Sequence, residues 1–165
     1  MADFNKILTP GNYEDGEINV VIEIPTGSNH KIEWDRKNAC FMLDRVEPIA
    51  FAKPCNYGFI PQTLDEDGDE LDVLMITDQP LTTGIYTKAR VLGVMKFVDS
   101  DEVDDKIICV PGWSQQWWQI SDSWRFAKAT NQANWISLQS LQGLEKTWYH
   151  YRESFWRSWI CKGSD

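Results

Sequence analysis

The sequence predicts a mainly β domain, a small closed or nearly closed barrel that carries a peripheral helix or an irregular Trp-rich segment at its C-terminal end. Three observations predict it. Strand-like runs recur through the first two-thirds of the chain, turn formers separate them, and few helical periods intervene. After Pro111 the pattern stops.

Ile18–Ile24 is the first run, rich in β-branched residues and closed by the turn formers Pro25-Thr-Gly-Ser-Asn29. Lys31–Trp34 follows, with Glu33 two residues after Lys31 and so on the same strand face. Cys40–Val46 is the third run, and Asp44 and Arg45 stand at its end, where a side chain can reach into a cleft. In Lys53-Pro-Cys-Asn-Tyr57-Gly-Phe59, Pro54 and Gly58 predict a fixed bend carrying Tyr57. Asp72–Ile76 follows Gly68; Ile85–Phe97 follows Thr82-Thr-Gly84; Lys106–Val110 closes the series.

A chain of 165 residues has room for one domain with a real core. Its net charge of −9 makes it a poor general binder of nucleic acid or anionic membrane. No apolar run approaches a membrane span, and the N-terminus lacks the order of a secretory signal. Cys40, Cys55, Cys109 and Cys161 show no C-x-x-C pairing, so a cytoplasmic protein with reduced thiols is expected.

The chemistry concentrates in Leu64-Asp-Glu-Asp-Gly-Asp-Glu-Leu-Asp72, where Asp67, Asp69 and Asp72 fall within six residues. Carboxylates this close repel by about 1 kcal/mol per pair even in bulk water at 4 Å. No fold needs that repulsion, and a divalent cation removes it. Hard cations take oxygen ligands, and Gly68 permits a turn that lets side chains converge. The plainer reading is a solvated acidic turn. A second acidic group, Asp99 to Asp104, lies before Lys106. If the strands before Asp72 and Asp99 are neighbours, both clusters meet at one end of the barrel, as a multi-metal site requires. Lys31, Arg45 and Lys106 facing such a cluster suit a phosphate ligand, Arg as a planar fork and Lys as a point charge. An EF-hand fails on spacing, because Thr63 and Leu74 would occupy its first and last positions. Dinucleotide and P-loop glycine patterns are absent. The residues alone therefore point to a Mg²⁺-dependent enzyme acting on a phosphate-like substrate.

At these residues the chain resembles a known family. Asp67-Gly-Asp69-x-x-Asp72-Val-Leu is similar to the D-G-D-P-x-D-V-L motif of the family I soluble inorganic pyrophosphatases of prokaryotic type. Val20-Val-Ile-Glu23-Ile-Pro25, Pro54-Cys-Asn-Tyr57-Gly-Phe59-Ile-Pro61 and Asp104-Asp-Lys106-Ile-Ile-Cys-Val-Pro111 resemble it too, in the same order. Lys53 and Glu70 depart from it, standing where many members carry Tyr and Pro. The resemblance implies an OB-like five-stranded barrel that hydrolyses pyrophosphate to two phosphates through metal-activated water. It implies Asp67, Asp72 and Asp104 as ligands of activating Mg²⁺ (Mn²⁺ being the alternative ion), and Asp99 as the holder of ions arriving with substrate. Asp69 would be the base. Lys31, Arg45, Tyr57 and Lys106 would contact phosphate, Glu23 and Glu33 would line the site, and the protein would assemble as a homo-oligomer, a hexamer.

Residues 112–165 do not continue the resemblance, and they read as a divergent segment of the same domain. Eight of the nine tryptophans fall there, and the balance becomes 6 Lys/Arg against 4 Asp/Glu, net +2, where residues 1–111 carry 10 against 21, net −11. The family's C-terminal H-Y-K-D-L motif is imitated only by His150-Tyr-Arg152. Codons chosen legally for Ile136–Trp148 can, read one nucleotide later, spell that motif, which points to a frameshifted C-terminus. The expected consequence is exposed apolar surface on the barrel and impaired activity. A non-catalytic remnant and an OB-type single-strand binder are the alternatives.

Overall fold

A computed structural model of the chain describes residues 3–65, 68–95, 98–99, 102–113 and 148–149, with the backbone alone at 98, 99, 102, 103, 148 and 149. Among the described residues a four-residue helix α1 (Phe4–Ile7) precedes ten strands: β1 (Glu17–Ile24), β2 (His30–Asp35), β3 (Cys40–Val46), β4 (Asn56–Phe59), β5 (Asp72–Met75), β6 (Tyr86–Met95), β7 (Val98–Asp99), β8 (Glu102–Val103), β9 (Lys106–Pro111) and β10 (Trp148–Tyr149).

The main sheet runs β1-β4-β5-β9-β6, and β6 pairs back onto β1 from Glu17↔Arg90 to Val21↔Tyr86. That last pairing closes the expected five-stranded barrel and removes its open edges. β10 adds to the far end of β6, with Tyr149 opposite Val94. β2 and β3 form a separate hairpin, as do β7 and β8.

The barrel is filled by Ile18, Val20 and Ile22 of β1, Val73 and Met75 of β5, and Ile107 and Cys109 of β9, joined by Ile60 and Leu71. Period-two alternation sends the intervening residues outward. Those residues are buried as well: Leu74, Ile108 and Val110 pack with Leu92 and Met95 on the other face of the sheet. Burial on both faces is why these strands read as continuous apolar runs rather than alternating ones. Outward-facing Val21 is covered by Phe4, Trp34 and Phe59, with the rings of Phe4 and Trp34 edge to face at 5.0 Å. The short helix α1, capped by the Asp3 carboxylate on the Asn5 N–H, thus brings an aromatic plug to the barrel wall.

The expected bend occurs at Pro54 and Cys55, but Tyr57 and Gly58 lie in the strand β4, hydrogen-bonded between β1 and β5. Gly58 is there because β4 crosses close over β1: a Cβ at 58 would lie 1.9 Å from the Val21 carbonyl oxygen. Close approach, not turning, is its function. The run expected over Ile85–Phe97 gives β6, Tyr86–Met95, and its last two residues, 96 and 97, lie outside the described residues. The four-residue helix α1 was not among the expected elements. Among the described residues, no helix is long and apolar enough to cross a membrane.

Candidate active site

β5 and β9 run parallel, with Val73 opposite Ile107, so the residues that open both strands lie at one end of the barrel. Asp72 and Lys106 are those residues. The strand leading toward Asp99 is not the neighbour of β5, because β9 lies between β5 and β6. The parallel pairing does what that adjacency was expected to do. Lys106 Nζ donates to Asp72 and to Asp104, and the Tyr57 hydroxyl donates to the same Asp72 oxygen.

Two β-bulges aim further side chains at this end. The β1–β4 register passes from Ile22↔Gly58 to Ile24↔Tyr57, which leaves Glu23 as the extra residue. Its side chain turns in and accepts the Trp34 N–H at 2.7 Å. In the hairpin the register passes from Lys31↔Arg45 to Ile32↔Leu43, which leaves Asp44 extra and sets the two cations opposite each other. Lys31 pairs with Glu33 at 2.6 Å and reaches Asp44 at 3.8 Å, so Lys31 and Glu33 do share a face. Arg45 pairs with Asp44 and, at 3.1 Å, with Glu47.

Apart from Asp44, these charged and phenolic groups line one cleft of about 470 Å³ between the barrel end and the hairpin. It contains Glu23, Lys31, Glu33, Arg45, Tyr57, Asp69, Asp72, Asp104 and Lys106, nine of the eleven residues expected in the site. The other two are Asp67, which lies outside the described residues, and Asp99, which is described in backbone only, on β7. Sequence reading missed Glu47, Asp65 and Glu70 as cleft residues and gave Lys53 no role there. Lys53 sits 3.7 Å from Glu47 and 5.5 Å from the centre of the Tyr57 ring. The only signal for these was their proximity in sequence to the motifs, which a polar loop shows by default.

The electrostatics have one sign. Burial, then the Asp72 charge, pushes the Glu23 carboxyl up to about 8. Burial also lifts the Asp72 carboxyl, against the opposing pull of Lys106 and Tyr57. The Tyr57 phenol rises well above its ordinary value, by burial and by Asp72. Burial opposes the Lys106 charge, yet Asp72 and Asp104 outweigh it and hold the ammonium charged above its usual range. Upward shifts on acids and base alike describe a partly buried pocket with surplus negative charge, which is what a bound cation relieves.

A divalent ion fits this donor set by chemistry: carboxylate oxygens of Asp72 and Asp104 converge on one positive charge, here the Lys106 ammonium. Among the described residues no three His, Cys, Asp or Glu side chains gather closely enough to hold an ion unaided. A complete ligand set therefore needs a further donor, such as a carboxylate outside the described side chains.

The family model for inorganic pyrophosphatase matches residues 20–153. Over 111 residues the chain is 76% identical to an inorganic pyrophosphatase of Neisseria meningitidis serogroup B; the match covers 67% of this chain and 63% of that protein's length. The crystal structure of an inorganic pyrophosphatase from Neisseria gonorrhoeae superposes with a TM-score of 0.85 at 48% identity, covering 99% of this chain and 100% of the other. An inorganic pyrophosphatase structure from Thermus thermophilus gives a TM-score of 0.83 at 30% identity, with 99% and 100% covered. Identity is thus concentrated in about two-thirds of the chain.

Proposed function

The chain belongs to the inorganic pyrophosphatase family, and from that premise we propose that it hydrolyses pyrophosphate to two phosphates in a divalent-metal-dependent reaction, Mg²⁺ being the expected ion. The observation that carries this reading is the convergence of Tyr57, Asp72, Asp104 and Lys106 at one barrel end, across the cleft from Lys31 and Arg45.

In this reading Asp67, Asp72 and Asp104 hold the activating ions and Asp99 helps to hold those that accompany substrate. When bound, such ions lower the pKa of water in their shell and offset charge on the departing phosphate. The protein's own side chains do the rest. Asp69 takes the proton of the attacking water. Lys31 and Arg45, opposite each other on the hairpin, exchange their present carboxylate partners for phosphate oxygens. Tyr57 stays a neutral donor because its environment opposes ionisation. Lys106 neutralises phosphate charge from the barrel floor. Glu23 and Glu33 line the site. Water attacks phosphorus directly, so no side chain is covalently modified.

Initial rates of phosphate release from pyrophosphate, with Mg²⁺, with Mn²⁺ and with excess chelator, test this. Metal-dependent release supports the reading; equal or absent release in all three arms overturns it and leaves a non-catalytic remnant.

The segment from 112 to 165 is read as an out-of-frame version of the family's C-terminus, and the reading is supported by the concentration of identity described above. The altered segment would impair activity. The gene's sequence decides: a one-base indel near the codons for Pro111 and Gly112, relative to an in-frame relative, is expected. A homo-oligomeric assembly and a cytoplasmic setting complete the proposal. The thiols of Cys40, Cys55 and Cys109, free in the structure, are consistent with the latter. Light scattering of the purified chain tests the former.

A further inference from the structure

Arg36 stands in the turn after β2 and does not line the cleft, yet it contacts three consecutive residues of the stretch that carries Asp69. Its Nε donates to Glu70 Oε1 at 2.9 Å and its Nη2 to Glu70 Oε2 at 2.8 Å, a two-point pairing of guanidinium and carboxylate. Nη1 donates to the Gly68 carbonyl at 3.1 Å, and Nη2 lies 3.4 Å from Asp69 Oδ1. The Glu70 side chain is only 8% exposed, and a charge so buried is held in place by its partner. Asp69, by contrast, is 82% exposed. Its position is set less by packing than by the backbone on either side, and Arg36 holds both sides.

Asn5 pins the same loop at both ends. Its amide donates to Glu70 Oε1. Its side-chain carbonyl accepts the Gln62 N–H at 2.8 Å, and its backbone carbonyl accepts the Gln62 amide at 2.9 Å. Gln62 has a φ of 57°, a left-handed conformation that a non-glycine residue keeps only when its surroundings enforce it. Within the loop, the Asp65 N–H donates to the Asp69 carbonyl at 2.7 Å and the Gly68 N–H to the Asp65 carbonyl at 3.1 Å.

We propose that Arg36 is a positioning residue that, through Glu70, the Gly68 carbonyl and the Asp69 carboxylate, holds Asp69 at the mouth of the cleft. The inference rests on reading that cleft as the site of pyrophosphate hydrolysis. Glu70 is also one of the two motif positions where this chain departs from the pattern it resembles, so the clamp belongs to this chain's own solution for its acidic loop.

The test compares wild type with R36Q, R36K and the double variant R36Q/E70Q, by amide hydrogen exchange and by phosphate release. Exchange at Asp65, Gly68 and Leu71, whose N–H groups are hydrogen-bonded in or beside the loop, should speed up roughly tenfold in R36Q, while β5 and β9 stay protected. The rate should fall roughly 10- to 100-fold, with R36K recovering part of it. R36Q leaves the buried Glu70 without its cationic partner and can fail to fold; the double variant removes that charge. It should regain wild-type stability without regaining the rate. Unchanged loop exchange in R36Q, or a double variant with full activity, overturns the clamp. Absence of phosphate release in the wild type overturns the reading of the cleft instead, and loop exchange still decides whether the clamp exists.

Discussion

The Tyr57 hydroxyl donates to the Asp72 carboxylate across two strands, from the residue opposite Leu74 to the residue two positions before it. This is the diagonal contact that an antiparallel pair offers to a long side chain on one face. It ties the floor of the cleft to the strand that closes over β1. Tyr57→Phe keeps the ring and removes the donor to a buried carboxylate. A hydrogen bond to a charged group is worth about 1.5–3 kcal/mol, so phosphate release should fall roughly 10- to 100-fold. The same loss weakens the fold, so the thermal midpoint should fall by several degrees, which a calorimetric scan of both proteins checks.

Glu23 should make the metal-free protein less stable as pH rises. Its carboxyl titrates near 8 in the fold against 4.5 as its ordinary value. Between those pH values the folded chain keeps a proton that the unfolded chain has released. Glu23's contribution is therefore complete below about 4.5 and is lost as pH climbs toward 8, with a limiting slope of about 1.4 kcal/mol per pH unit. Glu23→Gln still accepts the Trp34 N–H but cannot ionise. Urea melts in chelator at pH 5 and pH 8 should show a clear loss in wild type and a smaller one in the variant. Parallel losses would assign the pH dependence to other groups.

Gly58→Ala should be the most damaging single methyl in the barrel. The new Cβ meets the Val21 carbonyl oxygen at 1.9 Å, and backbone on both strands must move to admit it. Overpacking of this kind costs about 1–3 kcal/mol and occasionally more. Against a domain margin of about 5–15 kcal/mol, a marked drop in soluble yield and thermal midpoint is expected. An unchanged midpoint would show that β4 does not cross β1 so closely.

Much of the site was legible because its chemistry is local. Asp69 and Asp72 share one short motif, Lys31 and Glu33 share a strand face, and all four reach the cleft. The strand runs were legible where side chains are apolar and β-branched, as in β1, β5 and β9. Two kinds of information were not. The first is pairing: only the parallel register of β5 with β9 brings Asp72 beside Lys106, and nothing in either run specifies its neighbour. Gly58 misled for a similar reason, since a glycine that permits close strand approach looks the same as one that permits a turn. The second is the support around the site. Asn5, Arg36 and Glu70 are separated by tens of residues; Glu70 falls in the acidic motif, but Asn5 and Arg36 carry none and read alone as ordinary surface residues.

The most direct measurement is the initial rate of phosphate release from Mg²⁺–pyrophosphate by wild type, Asp69→Asn and Asp72→Asn, alongside their thermal midpoints. The expected result is metal-dependent release by the wild type and a loss of roughly 100-fold or more in each variant, from folded proteins, as removal of a preorganised transition-state contact produces. Folded variants that release phosphate at the wild-type rate would contradict the assignment of the cleft.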